Sequence, residues 1–599
     1  MKDRRQHRPP GRKSVSRICP GLVAASVAIV TLLASVHTRP AVSQDRDERP
    51  VLPDLAPREV EIRGELEVRF PLLDRQPLVG FNPPPRIPEL PAGRRPIVDE
   101  YKQARSELPQ STVERPDAPS AAANADAIRR GEIEAAAGSY FDRLVRARVT
   151  ADATERTRIR ASLDYLGSDG QQVVAVQTAH NPFDSIDGAL GVEHSTRSAR
   201  LSADLSAFSD SYPLYGLASQ LDTPDPNREN GPERTIGGLG FGVGVASPRT
   251  NRTMYDIRAR WSFAEFETVS SQIVTTDEKR VEVGAGLTVP AGAAAFTVDA
   301  NAGTSGFNAS GFTGATQQYV DAAVGISLPR RSTIDGHLAA RIVGTRYDAE
   351  PASAVDRREL LYLSPDVSLR IGLGPGAVLF AENVPSVEPN GLQSTFRRSP
   401  FLVAGSTIGP SVNVIDARGG VRFTLGSFVA EPYGGYRWSP NQLYFASSTP
   451  AAVDPDGVIL ARSGKVATIV GGLGMSFGLT GALTASVSGE YRDPRLTVDD
   501  TAVPYMPAVV ATGGATVRFL RNGVVTRLQA RYEAARHVEE SGTRELDPIT
   551  SIDFFATYDV TRNIGLTFRA LNLTDSALER WDTYRMTGRQ FLGGLRFRW

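Results

Sequence analysis

The stretch YDIRARWSF, residues 255–263, decides the fold class of this chain. Every second side chain in it is apolar or aromatic, and charged or hydroxyl side chains fill the positions between. Because successive side chains of a β-strand point to opposite faces, this pattern predicts a strand with one apolar and one polar face. The same two-residue alternation occurs at 157–165 and 524–532. The sequence therefore predicts an all-β chain.

The alternation continues from residue 131 to residue 599, and it predicts 22 strands, with 20 to 24 as the range, from 133–151 through 171–180 to 585–599. Long polar loops such as 213–232 and 389–410 follow odd-numbered strands, whereas tight turns follow even-numbered strands from the sixth on. Short turns at one end and long loops at the other are typical of outer-membrane barrels. Because lipid offers no hydrogen bonds, such strands must close on themselves. We predict a transmembrane antiparallel β-barrel in the bacterial outer membrane, with lipid against its apolar face.

The N-terminal part divides into two further segments. Residues 1–43 have the basic, apolar and polar regions of a signal peptide, with Ala41 and Ser43 at the −3 and −1 positions of the cleavage site. Residues 44–130 are proline-rich, and they predict a periplasmic segment and linker ahead of the barrel at 131–599. Without 1–43, the net charge changes from zero to about −7, and the single cysteine, Cys19, is lost.

Composition and motifs exclude several functional classes. The balance of 67 basic and 67 acidic side chains gives no basic face for nucleic acid. A single cysteine excludes a disulfide framework and any metal site with several cysteines. The histidines that follow the signal peptide have no metal-ligand spacing: His180, His194, His337 and His537. No nucleophile or phosphate-binding motif occurs, so we predict no enzyme activity, no cofactor and no metal site.

The C-terminal strand carries the most specific motifs. One face of it consists of apolar and aromatic side chains, and the chain ends on an aromatic residue, as in the signal read by the barrel-assembly machinery: Phe591, Leu595, Phe597 and Trp599. Residues 552–599 resemble the end of TonB-dependent receptor barrels, where Asn-Leu-x-Asp and Gly-Arg precede the last strand. The matching residues are Asn572, Leu573, Asp575, Gly588 and Arg589. This resemblance implies the transport of a small-molecule solute.

The sequence departs from those receptors ahead of the barrel. Segment 44–130 is shorter than their plug domain, and neither the plug nor the energy-coupling box is recognisable, which argues against coupling to TonB. We expect the segment to fill part of the lumen or to bind a periplasmic partner. Uptake or passage of a solute is the predicted function. A passive porin-like channel and a docking component acting through 44–130 are the alternatives.

Lumen-facing arginines leave a further choice open. They could favour anionic solutes, or they could form charge ladders with acidic residues on neighbouring strands. The arginines concerned are Arg158, Arg160, Arg258, Arg260, Arg527, Arg531, Arg596 and Arg598.

Overall fold

The computed structural model describes thirteen stretches of the chain. These are residues 131–172, 180–215, 232–248, 253–269, 273–309, 312–328, 334–349, 356–403, 408–447, 459–478, 482–520, 523–576 and 578–599. The predicted signal peptide with Ala41 and Ser43, and the predicted segment 44–130, lie outside the described residues. The division of the chain into 1–43, 44–130 and 131–599 therefore stays a prediction.

The wall consists of 22 antiparallel strands, each paired with its neighbours in the chain, and β1 pairs with β22 to close the ring. The prediction of a 22-strand transmembrane barrel is confirmed. The strands are β1 Gly131–Gly138, β2 Arg143–Thr154, β3 Thr157–Ser168, β4 Phe183–Ser195, β5 Arg200–Pro213, β6 Glu233–Ala246, β7 Met254–Val269, β8 Ile273–Ala291, β9 Ala294–Ala309, β10 Phe312–Leu328, β11 Ile334–Ala349, β12 Asp356–Gly374, β13 Ala377–Asn383, β14 Ile415–Leu425, β15 Phe428–Ser447, β16 Ile459–Gly478, β17 Leu483–Leu496, β18 Val509–Phe519, β19 Val524–Glu533, β20 Ile549–Asp559, β21 Ile564–Leu571 and β22 Gln590–Arg598.

Two errors in the predicted strand positions cancel in the count. The predicted strand 133–151 is two strands, because a turn at Ser139–Phe141 places Tyr140 and Phe141 at φ values of 55° and 54° and reverses the chain. No wall strand corresponds to the predicted strand 171–180, most of which lies outside the described residues, because β3 and β4 pair directly with each other. The total therefore remains 22.

The outer surface of the barrel is an apolar belt. Large side chains such as Leu338, Leu363 and Ile257 expose 64%, 72% and 59% of their surface. On the opposite face of the same wall, Arg341 of β11 forms ion pairs with Asp321 of β10 and with a carboxylate of β12. An exposed apolar band around a charged interior is the arrangement of a barrel in a bilayer. Among the described residues, no helix combines the length and apolar character needed to cross a membrane.

Strand polarity reverses toward the loop end of the barrel. In β7, Arg258 and Arg260 lie on the inner face, but further along the same face Ala264 and Phe266 are buried, while the outer Glu265 is exposed. A membrane-spanning strand needs about 9–11 residues, whereas β7 has 16 and β15 and β16 have 20 each. The strands therefore extend beyond the bilayer, where water wets their outer face and an apolar core fills their inner face.

The connections distinguish the two ends of the barrel. Those after even-numbered strands contain two to seven residues, whereas those after odd-numbered strands contain up to 31. Strand β1 begins and β22 ends at the short-turn side, as the sequence predicts. The tight turn after β12 depends on glycine, because Gly374 and Gly376 have φ values of 145° and 87°.

Candidate functional site

The longest connection of the barrel folds into its lumen. We call residues 384–414, between β13 and β14, the lumenal insertion; residues 404–407 of it lie outside the described part of the chain. It contains a short strand pair, Ser386–Glu388 with Ser411–Asn413, and the helix α1, Leu392–Arg398. From its attachment at β13, α1 reaches β4 to β8, which are at least five strands away around the wall.

Wall side chains hold the start of α1 by its backbone. Arg280 donates a hydrogen bond to the carbonyl of Pro389 at 2.8 Å, and Gln317 donates one to the carbonyl of Asn390 at 2.7 Å. The backbone N–H of Leu392 donates to Glu278 at 2.7 Å. Because the first N–H groups of a helix have no partner within it, a carboxylate at this end satisfies one of them.

Arg397 clamps the other end of α1 to the wall. Its guanidinium lies 2.8 Å from Asp187 of β4 and 3.1 Å from Asp210 of β5. It also lies over the ring of Phe208, 5.0 Å from the centroid. Burial opposes the charged form, but the two carboxylates outweigh it and raise the pKa of Arg397 above its ordinary value. The clamp is therefore a fixed cation between two acidic side chains.

Aromatic stacking completes the contact between the lumenal insertion and the wall. Phe396 stacks on Phe266 of β7 with ring centroids 4.4 Å apart. Phe401 stacks at 3.6 Å on Tyr584, which belongs to the connection between β21 and β22. Both rings belong to a large apolar cluster at the loop end of the lumen: Phe208, Leu214, Tyr215, Ile236, Ala264, Phe266, Phe307, Leu392, Phe396, Phe401, Leu402, Ile408, Leu443, Phe445, Ile459, Ala461, Trp581 and Tyr584.

A cavity of about 60 Å³ lies between α1 and the wall. Its lining combines aromatic rings with a few polar groups, among them Arg397, Asp210 and Tyr584. The indole N–H of Trp581 and the hydroxyl of Tyr584, both buried, have no hydrogen-bond partner. Burial raises the pKa of Tyr584 well above its ordinary value, so its hydroxyl stays protonated. The site can therefore offer two hydrogen-bond donors to a small guest or to water.

Several of the lumen-facing arginines form ion pairs with acidic residues of the wall. Arg158 lies 2.9 Å from Asp152, and both Arg596 and Arg598 lie 2.7 Å from Asp559. Of the two interpretations left open by the sequence, these contacts favour structural pairing across strands.

The residues of the C-terminal motif come together beside the candidate site. The backbone N–H of Arg589 donates to Asp575 at 2.9 Å, and Asn572 donates through its amide to the carbonyl of Thr587 at 3.3 Å. Gly588 donates through its N–H to Gln171 at 2.7 Å. Asn572 and Asp575 have positive φ values of 48° and 51°. These contacts join the two halves of the motif, Asn572-Leu573-x-Asp575 and Gly588-Arg589. That the motif has the same role as in TonB-dependent receptors stays a prediction.

The apolar residues of the last strand face outward. Phe591, Leu595 and Phe597 expose 42%, 60% and 46% of their surface, and Trp599 stacks on Phe597 at 5.6 Å. The backbone of Trp599 exchanges two hydrogen bonds of 3.2 Å with Gly131, which closes the seam between β1 and β22. A role as an assembly signal stays a prediction.

The histidines occupy separate places. His194 contacts Thr157 at 2.8 Å, His337 contacts Ser327 at 2.8 Å, and His537 lies 3.2 Å from Glu545. Across the described stretches, no three histidine, cysteine, aspartate or glutamate side chains are grouped as a metal would require.

Sequence reasoning missed the lumenal insertion. It assigned 389–410 to a polar loop, whereas α1 and its buried residues Leu392, Thr395 and Phe396 lie within it. The available signal was the apolar spacing of Leu392 and Phe396, which is that of one helix face, followed by the run 401–403, FLV.

Comparison with known proteins finds similarity in fold but no match in sequence. No protein-family model matches the sequence, and no curated protein does. Solved structures are similar in fold. The copper transporter OprC has 14% identity and a TM-score of 0.61 over 78% of this chain and 82% of its own. The FrpB iron transporter from Neisseria meningitidis, F5-1 variant, has 10% identity, a TM-score of 0.61 and the same coverage. The siderophore receptor PiuA from Acinetobacter baumannii has 12% identity and a TM-score of 0.58, over 78% of this chain and 81% of its own.

These similarities confirm, at the level of fold, the predicted resemblance to TonB-dependent receptor barrels of the bacterial outer membrane.

Proposed function

We propose that the protein mediates the uptake or passage of a small-molecule solute across the outer membrane, and that the lumenal insertion is its gate. The observation that carries the proposal is the position of α1, which reaches across the loop end of the lumen and is held there by the Arg397 clamp. The transporters and receptor that share the fold support the same function.

The way the lumenal insertion is held favours gated passage over a passive porin-like channel. A permanently open channel has no need of an apolar cluster and ion pairs across its mouth. Here, side-chain contacts join α1 to the wall, and none of the barrel's ladder hydrogen bonds passes through α1. The helix can therefore leave the wall when the isolated bridge between Leu402 and Ile459 opens, while the strand pairs of the barrel stay intact.

A disulfide lock tests the gate. Leu402 of the lumenal insertion and Ile459 of β16 form a β-bridge, and the N–H of Val403 donates to the carbonyl of Ile459 at 2.7 Å. Neighbouring strands lie about 4.7–4.9 Å apart, within the range of Cα separations that a disulfide spans. The double variant Leu402→Cys/Ile459→Cys should form a bond that oxidation closes and reduction opens. As control, Thr484→Cys/Thr516→Cys joins two neighbouring wall strands, β17 and β18.

Ion conductance is the readout, recorded in planar bilayers with potassium chloride. We expect current from the reduced lock variant, loss of current on oxidation, and no redox effect in the wall control. A measurable conductance that is equal in the oxidised and reduced lock variant would indicate a passive channel instead.

Removal of the gate gives a second, independent test. Glu388 and Ser411 face each other as strand partners, so Asn-Gly can replace residues 389–410 as a two-residue hairpin. We expect a large, permanent conductance from this variant. An absence of current would contradict passage through the lumen and would favour a docking component, for which co-purification of a periplasmic partner should depend on segment 44–130.

A further inference from the structure

Three parts of the chain meet at Glu533, the last residue of β19. Its carboxylate lies 2.7 Å from Arg531 of the same strand and 2.9 Å from Arg536 of the connection to β20. Arg580, in the connection between β21 and β22, binds the same carboxylate at 2.6 Å. The side chains of Glu533 and Arg536 are only 4% and 2% exposed. We call these four residues the arginine cluster.

Positive charge exceeds negative charge in the arginine cluster. Arg531, Arg536 and Arg580 all contact the carboxylate of Glu533, so three guanidinium groups lie against one carboxylate. The Nε and Nη2 groups of Arg536 are buried and have no hydrogen-bond partner. Burial lowers the pKa of Arg536 and Arg580 adds to this effect, although Glu533 opposes them. A buried cation with unmet N–H donors is costly, which indicates that a second anion belongs there.

The chemistry of that anion follows from the donors. A guanidinium presents planar pairs of N–H groups that match the oxygen atoms of carboxylate or phosphate. The anion must come from the lumen, because Tyr532 points to the outer face with 40% exposure and Glu533 therefore points inward. A lipid headgroup outside the wall has no access to this face.

We propose that the arginine cluster binds one oxyanion group, carboxylate or phosphate, of a solute that enters from the loop end of the lumen. Nothing in the proposal requires the solute to cross the barrel, so it can hold or fail separately from the transport function.

Trp581 provides the readout for a test on the full-length protein in detergent. Its ring lies 4.7 Å from that of Tyr505, whose N–H donates to the carbonyl of His537, next to Arg536. The fluorescence is recorded during titration with inorganic phosphate and, separately, with acetate, against sodium chloride at equal ionic strength. We expect a saturable change with phosphate, acetate or both, absent with chloride, and its loss in Trp581→Phe. The anion that binds more tightly identifies the solute class.

Two variants decide whether the arginine cluster is the binding site. Arg536→Gln removes the unpaired donors and should weaken binding about tenfold or more, since hydrogen bonds to charged groups are lost. Arg495→Gln, at a half-exposed ion pair with Asp493, is the matched control and should bind as the wild type does. If Arg536→Gln does not fold, Arg536→Lys keeps the charge without the planar fork and should also bind more weakly. No saturable change in the wild type, or an affinity equal to that of the wild type in both Arg536 variants, would overturn the proposal.

Discussion

Replacing Arg397 by alanine should release α1 from the wall. Arg397 is the residue of the helix that forms ion pairs with both β4 and β5, and its side chain is only 20% exposed. The substitution leaves Asp187 and Asp210 without their cation. The two partners differ in exposure, since 42% of the Asp187 side chain is accessible and only 12% of the Asp210 side chain is.

The magnitude follows from that difference. An exposed pair contributes about 0–1 kcal/mol, which applies to Asp187, whereas removing one partner of a buried pair costs about 3–5 kcal/mol. The Asp210 contribution lies below this range, because Ser185 still donates a hydrogen bond to its carboxylate at 2.6 Å. We therefore expect the docking of α1 to weaken by about 2–4 kcal/mol, which is about a 30- to 700-fold rise in the undocked population.

Hydrogen–deuterium exchange measures this population directly. Amides of 391–403 should exchange faster in Arg397→Ala by the stated factor, while amides of the wall strands stay protected. Arg397→Lys should show a smaller effect, because it keeps the charge. Arg422→Ala, which removes a pair with Glu431 on the wall where the arginine is 59% exposed, is the control and should leave 391–403 unchanged. Unchanged exchange in Arg397→Ala would refute the assignment of Arg397 as the clamp.

Three further predictions test the barrel itself. Burial raises the pKa of Asp142 to about 6, above its unfolded value. The free energy of unfolding should therefore fall as pH rises through the interval from about 4 to 6. In urea titrations at several pH values, Asp142→Asn should flatten this dependence and raise stability at pH 7. Gly376→Ala should lower the yield of folded barrel on unheated gels, because a Cβ there would lie 2.2 Å from the carbonyl of Thr424, whereas Gly426→Ala, with a positive φ but open space, should lower it less. Deletion of Trp599 should reduce barrel assembly in the same assay, and Trp599→Phe, which keeps an aromatic end, should largely preserve it.

The wall could be predicted from sequence because its constraint is local. Lipid on one side and a wet lumen on the other impose an alternation that is visible within nine residues, as at 255–263. Turns that contradict this local pattern were missed. At 133–151, alternation continues through Ser139–Phe141, where two residues other than glycine adopt positive φ, a conformation that sequence pattern rarely indicates. The Arg397 clamp could not be predicted from local sequence either, because 210 positions separate Arg397 from Asp187.

The apolar core at the loop end did leave a trace in the sequence, which is the reversal of polarity within single strands. In WSFAEFET, residues 261–268, the apolar face ends at Phe263; Ala264 and Phe266 then occupy the other face, while Glu265 and Glu267 occupy the first. A strand that stayed in the bilayer could not expose Glu265 and Glu267 on its lipid side, since charge there is destabilising. If the lumen beyond the bilayer held only water, turning Phe266 inward would bury no apolar surface and would give no hydrophobic stabilisation. The reversal therefore requires an apolar partner inside the lumen above the membrane, and α1 is the element that supplies it through Phe396.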